Sequence, residues 1–223
     1  EDVHLAYFRA GAGIATTASY QATIPGFEAV GLDARAALTA IGESVALARR
    51  ARDRYADEAG IAPETLLIAG SIGPYGAMLA DGSEYQGDYD PGRTTLRDVH
   101  APRMEALLDA GADLLGMETI PTVREAEVLV ELLDENGAAG WLTYQCRDGD
   151  STAAGEPIEA AAAIAGAVAG LVAVGVNCTA PRYVPSLLRR AAGASGDLPL
   201  IAYPNGGDTW DADARRWVAN DAT

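Results

Sequence analysis

Short apolar runs bounded by glycine or polar residues alternate along the chain with longer amphipathic stretches. The runs fall at residues 14–18, 66–70, 114–118, 141–145, 172–177 and 200–203. They are four to six residues long and carry no charge before the final position, the pattern of buried strands. Between them, residues 36–56, 97–110, 123–135, 158–168 and 184–192 repeat apolar positions at helical spacing. The chain also opens on a helical pattern, Val3, Leu5, Ala6, Phe8 and Ala10, closed by Gly11. Strand followed by helix, repeated, predicts a parallel sheet built from βαβ units.

From Ile14 the successive strand starts are 52, 48, 27, 31 and 28 residues apart. The last three intervals fit bare βα units, and the first two carry long additional loops. No linker interrupts the six units, so residues 1–223 are expected to form a single domain. Two closures fit an all-parallel α/β sheet: a (β/α)8 TIM barrel and an open doubly wound sheet. The opening helix needs a strand before it, and a further helix and strand would follow residue 223. Six units plus one at each end make eight, so the expectation is a barrel truncated at both ends, lacking its first and last strands. The missing initiator methionine agrees with that expectation.

Composition narrows the chemistry. The formal charge of −16 argues against nucleic acid and anionic membrane surfaces as partners. All 16 basic residues are arginine, which removes lysine Schiff bases and the lysine of a phosphate-binding loop. The two histidines, His4 and His100, lie in helical patterns away from the strand ends, so a multi-histidine metal centre is not expected. The cysteines, Cys146 and Cys178, form neither a CxxC pair nor a disulfide framework. With no signal peptide or long apolar span, a cytoplasmic location is expected.

In a parallel barrel, chemistry gathers where strands end. Glu118 ends one run and is placed to hold an ammonium group or act as a base; capping the next helix or pairing with an arginine is the structural alternative. Cys178 closes another run, as a nucleophile, a soft-metal ligand or simply a small buried side chain. Cys146, followed by the charged turn Arg147-Asp148, reads as structural. The glycine-rich stretch 70–76 suits a loop crossing close to a ligand. Residues 81–89, acidic and aromatic, fit either a surface that attracts a cation or a solvated loop.

Taken together, these segments resemble the homocysteine S-methyltransferases. The resemblance runs through Ser19-Tyr20-Gln21-Ala22-Thr23, Gly70-Ser71-Ile72-Gly73-Pro74-Tyr75-Gly76, Asp81-Gly82-Ser83-Glu84-Tyr85, Ala110–Leu115 with Glu118-Thr119, Gly175-Val176-Asn177-Cys178, and Tyr203-Pro204-Asn205. It spans essentially the whole chain, and it is nearest to the branch using S-methylmethionine or S-adenosylmethionine. The resemblance implies a barrel with one zinc held by three cysteines, with Cys178 as the first ligand. The other two belong to a Gly-Gly-Cys-Cys motif that does not occur in these 223 residues, nor does the Asp-Gly-Gly motif of the first strand. It further implies that Glu118 binds the homocysteine amino group, that Thr17 and Tyr20 line the substrate pocket, and that Asn177 fixes the ligand loop. The implied reaction is zinc-dependent methyl transfer from a sulfonium donor to homocysteine, giving methionine. An acidic mouth suits such a donor, giving Asp81, Glu84 and Asp88 a candidate role. The competing reading is a non-catalytic barrel that binds an amino acid or a sulfonium without transferring methyl.

Overall fold

The computed structural model describes residues 1–206, 209–211 and 216–218. Helix α1 (Asp2–Arg9) leads into β1 (Ile14–Thr16), followed by a short α2 (Ile24–Glu28) and the long α3 (Ala34–Ala59). Strand β2 (Leu67–Ile72) is followed by α4 (Tyr75–Leu79) and α5 (Arg93–Asp109). Then come β3 (Leu114–Ile120), α6 (Val123–Glu135), β4 (Gly140–Tyr144), α7 (Ile158–Ala163), β5 (Leu171–Asn177), α8 (Val184–Ala192) and β6 (Leu200–Tyr203). Local chemistry sets the helix limits. Asp33 caps α3 through a bond from the Ala36 N–H, and Gly60 ends it in the left-handed conformation (φ 66°). Thr122 caps α6 in the same way through the Glu125 N–H.

All six strands are parallel and lie in the order β1-β2-β3-β4-β5-β6. A doubly wound sheet reverses its strand order at a switch point; this sheet never does, which removes the open-sheet alternative. The sheet is a curled half-barrel, and an eight-stranded closure is not present among the described residues. After β6 the chain forms a hairpin, β7 (Thr209–Asp211) antiparallel to β8 (Arg216–Val218), with Trp210 and Trp217 in register. The helical periodicity gave no sign of it, because three-residue strands are too short to show a period.

Side chains alternate between the two faces of the sheet. Ile68, Ile72, Leu115, Met117, Leu142, Tyr144, Val174 and Val176 belong to the main core with Ile41, Val45, Met104, Leu107, Leu129 and Leu133 from the helices. Burying each large side chain there contributes about 1.5–3 kcal/mol. The opposite, concave face holds a small apolar floor of Ala69, Leu114 and Trp141, with Ala173 and Ile201 beside them. A β-carbon at Gly116 would stand 2.6 Å from the Trp141 ring, so glycine there lets the indole lie across the neighbouring strand. Ser71, Glu118, Thr143, Asn177 and Tyr203 share this face's alternation, two or four residues further toward the C-terminal strand ends.

Two expected boundaries move. Residues 158–168 split into α7 and a 3-10 turn at Ile164–Ala167, where Gly166 weakens the helix. Strand β3 runs past Glu118 to Ile120, with a register irregularity against β4 between Met117 and Ile120.

Candidate active site at the C-terminal strand ends

The β3 irregularity positions the centre of the site. Thr119 adopts φ 64°, a left-handed conformation that a β-branched residue rarely takes, within this bulge. Glu118 is thereby held on the concave face, 9% exposed. Its Oε1 accepts a short hydrogen bond from the Ser71 hydroxyl, and its Oε2 accepts from the Tyr203 hydroxyl at 2.9 Å. Tyr203 in turn accepts from Trp141 Nε1 and Thr143 Oγ1, both at 2.9 Å. That assignment uses one donation and two acceptances, which is what a phenol offers. Burial raises the Glu118 pKa above the ordinary carboxylate range, and the bonds from Ser71 and Tyr203 oppose the shift. No cation contributes to it.

Asn177, at the end of β5, reaches over the end of β4 to β3. Its Oδ1 accepts from the Thr119 N–H at 2.7 Å, and its amide donates to Thr119 Oγ1 at 2.8 Å. The same amide and the Thr119 hydroxyl both approach Cys178 Sγ, at 3.4 and 3.5 Å. Cys178 itself has φ 46°. Its carbonyl accepts from Asn205 Nδ2 at 3.0 Å, and its N–H donates to Tyr203 O at 3.3 Å. Two left-handed non-glycine residues, Thr119 and Cys178, thus face each other through one asparagine. Such strain persists only where surrounding bonds over-determine it.

Burial pushes the Cys178 thiol up, as do the charges of Glu118 and Glu84, while the bonds from Thr119 and Asn177 pull it down. Two donors on one sulfur suit a thiolate, and two carboxylates nearby favour a cation beside it. Those observations fit Cys178 as one corner of a metal site. Among the described residues, no group of three His, Cys, Asp or Glu side chains is placed to hold a metal. Cys146 does not join it: the residue is 3% exposed, its N–H donates to Thr179 Oγ1 at 3.0 Å, and burial raises its pKa to about 12.

Thr17 and Tyr20 occupy the β1 side. Thr17 Oγ1 accepts from the Ser71 N–H at 3.0 Å and lies 2.7 Å from Ser19 Oγ. Ser19 donates to Ser71 O at 2.7 Å, so Thr17 must donate to Ser19. The Thr17 hydroxyl thereby ties β1 to β2 through one donated and one accepted bond. The Tyr20 ring lies over Gly73, where a β-carbon would stand 2.6 Å from Cε2; only glycine admits that approach. The Tyr20 hydroxyl is buried without a partner.

The geometry brings Glu118, Asn177, Cys178 and Asn205 into one bonded cluster, with Thr17 joined to it through Ser71. Against it stand the comparisons with known proteins. The homocysteine S-methyltransferase family model matches residues 1–223. Homocysteine S-methyltransferase of Escherichia coli (strain K12) is 48% identical over 217 residues, 97% of this chain and 69% of that protein. Selenocysteine Se-methyltransferase of Brassica oleracea var. italica is 42% identical over 229 residues, covering 98% of this chain and 66% of that protein. The metallated crystal form of the E. coli homocysteine methyltransferase MmuM superposes with a TM-score of 0.88 at 48% identity, covering 92% of this chain and 71% of that one.

The chain belongs to the homocysteine S-methyltransferase family.

Several parts of this candidate site were not singled out from the sequence. Ser71 and Tyr203 take both oxygens of Glu118; each stands at a strand end in the sequence, yet nothing local marks it as a partner of that carboxylate. Behind the site lies a fully buried polar network on α5 and α6. Arg103 Nη2 donates to His100 Nδ1 at 2.8 Å and to Gly73 O, and Arg103 Nη1 donates to Tyr20 O at 3.4 Å. An arginine only donates, so His100 Nδ1 accepts and Nε2–H donates to Glu125 Oε1 at 2.7 Å. Glu125 also accepts from the Tyr75 N–H at 2.5 Å and the Tyr89 hydroxyl at 2.7 Å. The network therefore fixes the backbones of Tyr20, Gly73 and Tyr75 from below. Its signal was present in the sequence: His100 and Arg103 occupy the core stripe of α5 with Leu96, Met104 and Leu107. The other histidine, expected away from the strand ends, meets one: His4 Nε2 lies 3.0 Å from O of Thr16, the last residue of β1.

Proposed function

We propose that this protein transfers a methyl group from a sulfonium, S-methylmethionine or S-adenosylmethionine, to homocysteine with the aid of zinc, giving methionine. The observation that carries the reading is the junction of Glu118 and Cys178 through Ser71, Tyr203, Thr119 and Asn177. In this reading Glu118 receives the homocysteine ammonium. Its charge is unneutralised within the protein and its orientation is set by two hydroxyls, so an ammonium gains a desolvated partner that is already in place. The homocysteine sulfur then points toward Cys178. Cys178 would be one zinc ligand, its sulfur oriented by Asn177 and Thr119; the remaining two would come from the cysteine pair of the Gly-Gly-Cys-Cys motif that the resemblance implies. Bound zinc supplies the charge that keeps a coordinated thiol deprotonated.

In the transfer, the homocysteine sulfur forms the new carbon–sulfur bond. The donor sulfur keeps the electron pair of the bond that breaks, and the thiol proton leaves to solvent. Opposite charges are annihilated, so exclusion of water favours the step. Tyr20, its hydroxyl buried and its ring over Gly73, is suited to keep that space dry. The role of Thr17 is to hold Ser71 for Glu118. The non-catalytic alternative has no observation in its favour, since the relatives named above are methyltransferases. The test is a methionine-formation assay of the full-length protein with homocysteine and each sulfonium, before and after a chelator. Turnover abolished by the chelator and restored by zinc is expected; full activity without metal, or none with any sulfonium, would overturn the reading.

A further inference from the structure

Glu84 is a second carboxylate at this mouth, and its situation differs from that of Glu118. It lies in a short 3-10 turn, Ser83–Tyr85, which packs against β3 and α4. The turn is clamped from several directions. The Ser83 N–H donates to Asp81 Oδ1 at 3.0 Å. A β-carbon at Gly76 would stand 2.6 Å from the Glu84 nitrogen, and one at Gly87 would stand 3.1 Å from Pro121 and Ala154. Within a segment whose Asp81, Tyr85, Gln86 and Asp88 are exposed, the turn thus holds Ser83 and Glu84 inward against β3 and α4.

Glu84 is 7% exposed, and its Oε2 is buried without a hydrogen-bond partner. The Tyr20 hydroxyl is buried as well, with the Thr119 hydroxyl near it. The Glu84 charge helps to raise the pKa values of Cys178, Tyr20 and Tyr85, so the carboxylate lies near all three. The charge acting on Glu84 itself is that of Asp81, of like sign. A buried carboxylate with an unpaired oxygen and no counter-ion is costly in the unliganded protein. What this site lacks is a cation.

The two un-neutralised carboxylates match two different positive charges. Glu118 offers two oxygens already held by hydroxyls. Glu84 offers a bare oxygen, with Tyr85 next to it in the chain and Tyr20 near enough to feel its charge; aromatic faces attract a cation poorly served by hydrogen bonding. A sulfonium is such a cation, having no proton to donate. We propose that Glu84 is a specificity-determining residue for the methyl donor: its carboxylate, with the rings of Tyr20 and Tyr85, receives the sulfonium group. The proposal rests on the reading of the protein as a sulfonium-dependent methyltransferase.

Methionine and S-methylmethionine share one amino-acid backbone and differ by the methyl and its charge, so their affinity ratio isolates recognition of the sulfonium. The experiment measures both by calorimetry on the full-length zinc enzyme and on Glu84→Gln, alongside KM for homocysteine and for S-methylmethionine. The wild type is expected to bind S-methylmethionine about tenfold or more tighter than methionine. Glu84→Gln should reduce that ratio toward one and raise the donor KM about tenfold, with homocysteine KM within about twofold. Retention of the ratio in Glu84→Gln, or an equal loss for homocysteine, overturns the inference. Normal sulfonium turnover that ignores Glu84 leaves the methyltransferase reading standing and removes this one. Charge-selective, Glu84-dependent binding without turnover supports the site and removes the reading of the reaction. Glu84→Gln keeps the side chain's shape and deletes an unpaired buried charge, so its thermal midpoint at neutral pH should not fall; unfolding would show that Glu84 is structural.

Discussion

Glu118 is held from three strands: its own β3, β2 through Ser71, and β6 through Tyr203. Removing the carboxylate leaves those hydroxyls without their acceptor and, on the proposed function, the homocysteine ammonium without its counter-charge. Losing one side of a buried charge pair costs about 3–5 kcal/mol. In the full-length enzyme, Glu118→Ala is therefore expected to weaken homocysteine binding more than a hundredfold, and donor binding by much less. Equilibrium titration of each substrate checks the asymmetry. Unchanged homocysteine affinity in a folded variant would assign Glu118 a structural role. Its candidacy was legible in sequence because a carboxylate closing an apolar run is unusual. The clamp was not, since Ser71 and Tyr203 lie 47 and 85 residues away along the chain.

At the scale of elements, α5 and α6 do more than cover the sheet. Their buried Arg103–His100–Glu125 network reaches the loops after β1 and β2, and Tyr89. Burial and the neighbouring Arg103 charge lower the His100 pKa from 6.5, while Glu125 opposes them. The sign follows by linkage. As pH falls below 6.5 the unfolded chain takes up a proton that the folded protein refuses, so this contribution to stability is full above that value and lost as pH falls toward the folded pKa. Arg103, Glu125, Tyr89 and Tyr20 are the other titratable groups of the network. His100→Gln is expected to lessen the fall in unfolding free energy between about pH 7 and about pH 5. Denaturant melts across that range check it; parallel curves for wild type and variant would show that His100 carries no such linkage. The helix pattern was readable because periodicity is local. That His100 in the α5 stripe, itself held by Arg103, meets a carboxylate on α6 depends on the packing of the two helices.

For the whole molecule, the six-strand order fixes which strand ends share a mouth, and the zinc question belongs to this scale. Cys178 brings one oriented thiol, and a three-cysteine site needs two more. Produced as residues 1–223, the protein is expected to retain well under one zinc per chain after dialysis, against about one for the full-length enzyme. In the full-length enzyme Cys178→Ala should lose that metal. Elemental analysis decides it: stoichiometric zinc on the 1–223 chain would show that Cys178 is not one of three cysteine ligands.

By itself the sequence determined the six strands, the opening helix and the five helices between the strands, their alternation, and the nomination of Glu118 and Cys178. Each depends on a residue's near neighbours: apolar period, capping side chains and glycine stops act within a few positions. Only the tertiary structure decided that the sheet never reverses order, that β3 bulges at Thr119, and that Thr17 ties two strands together. It alone buried the Glu84 carboxylate, where the sequence offered either a surface that attracts a cation or a solvated loop. The physical reason is that burial and hydrogen-bond partnership are properties of residues distant in the chain. A carboxylate becomes a site when folding removes its water and leaves its charge unpaired.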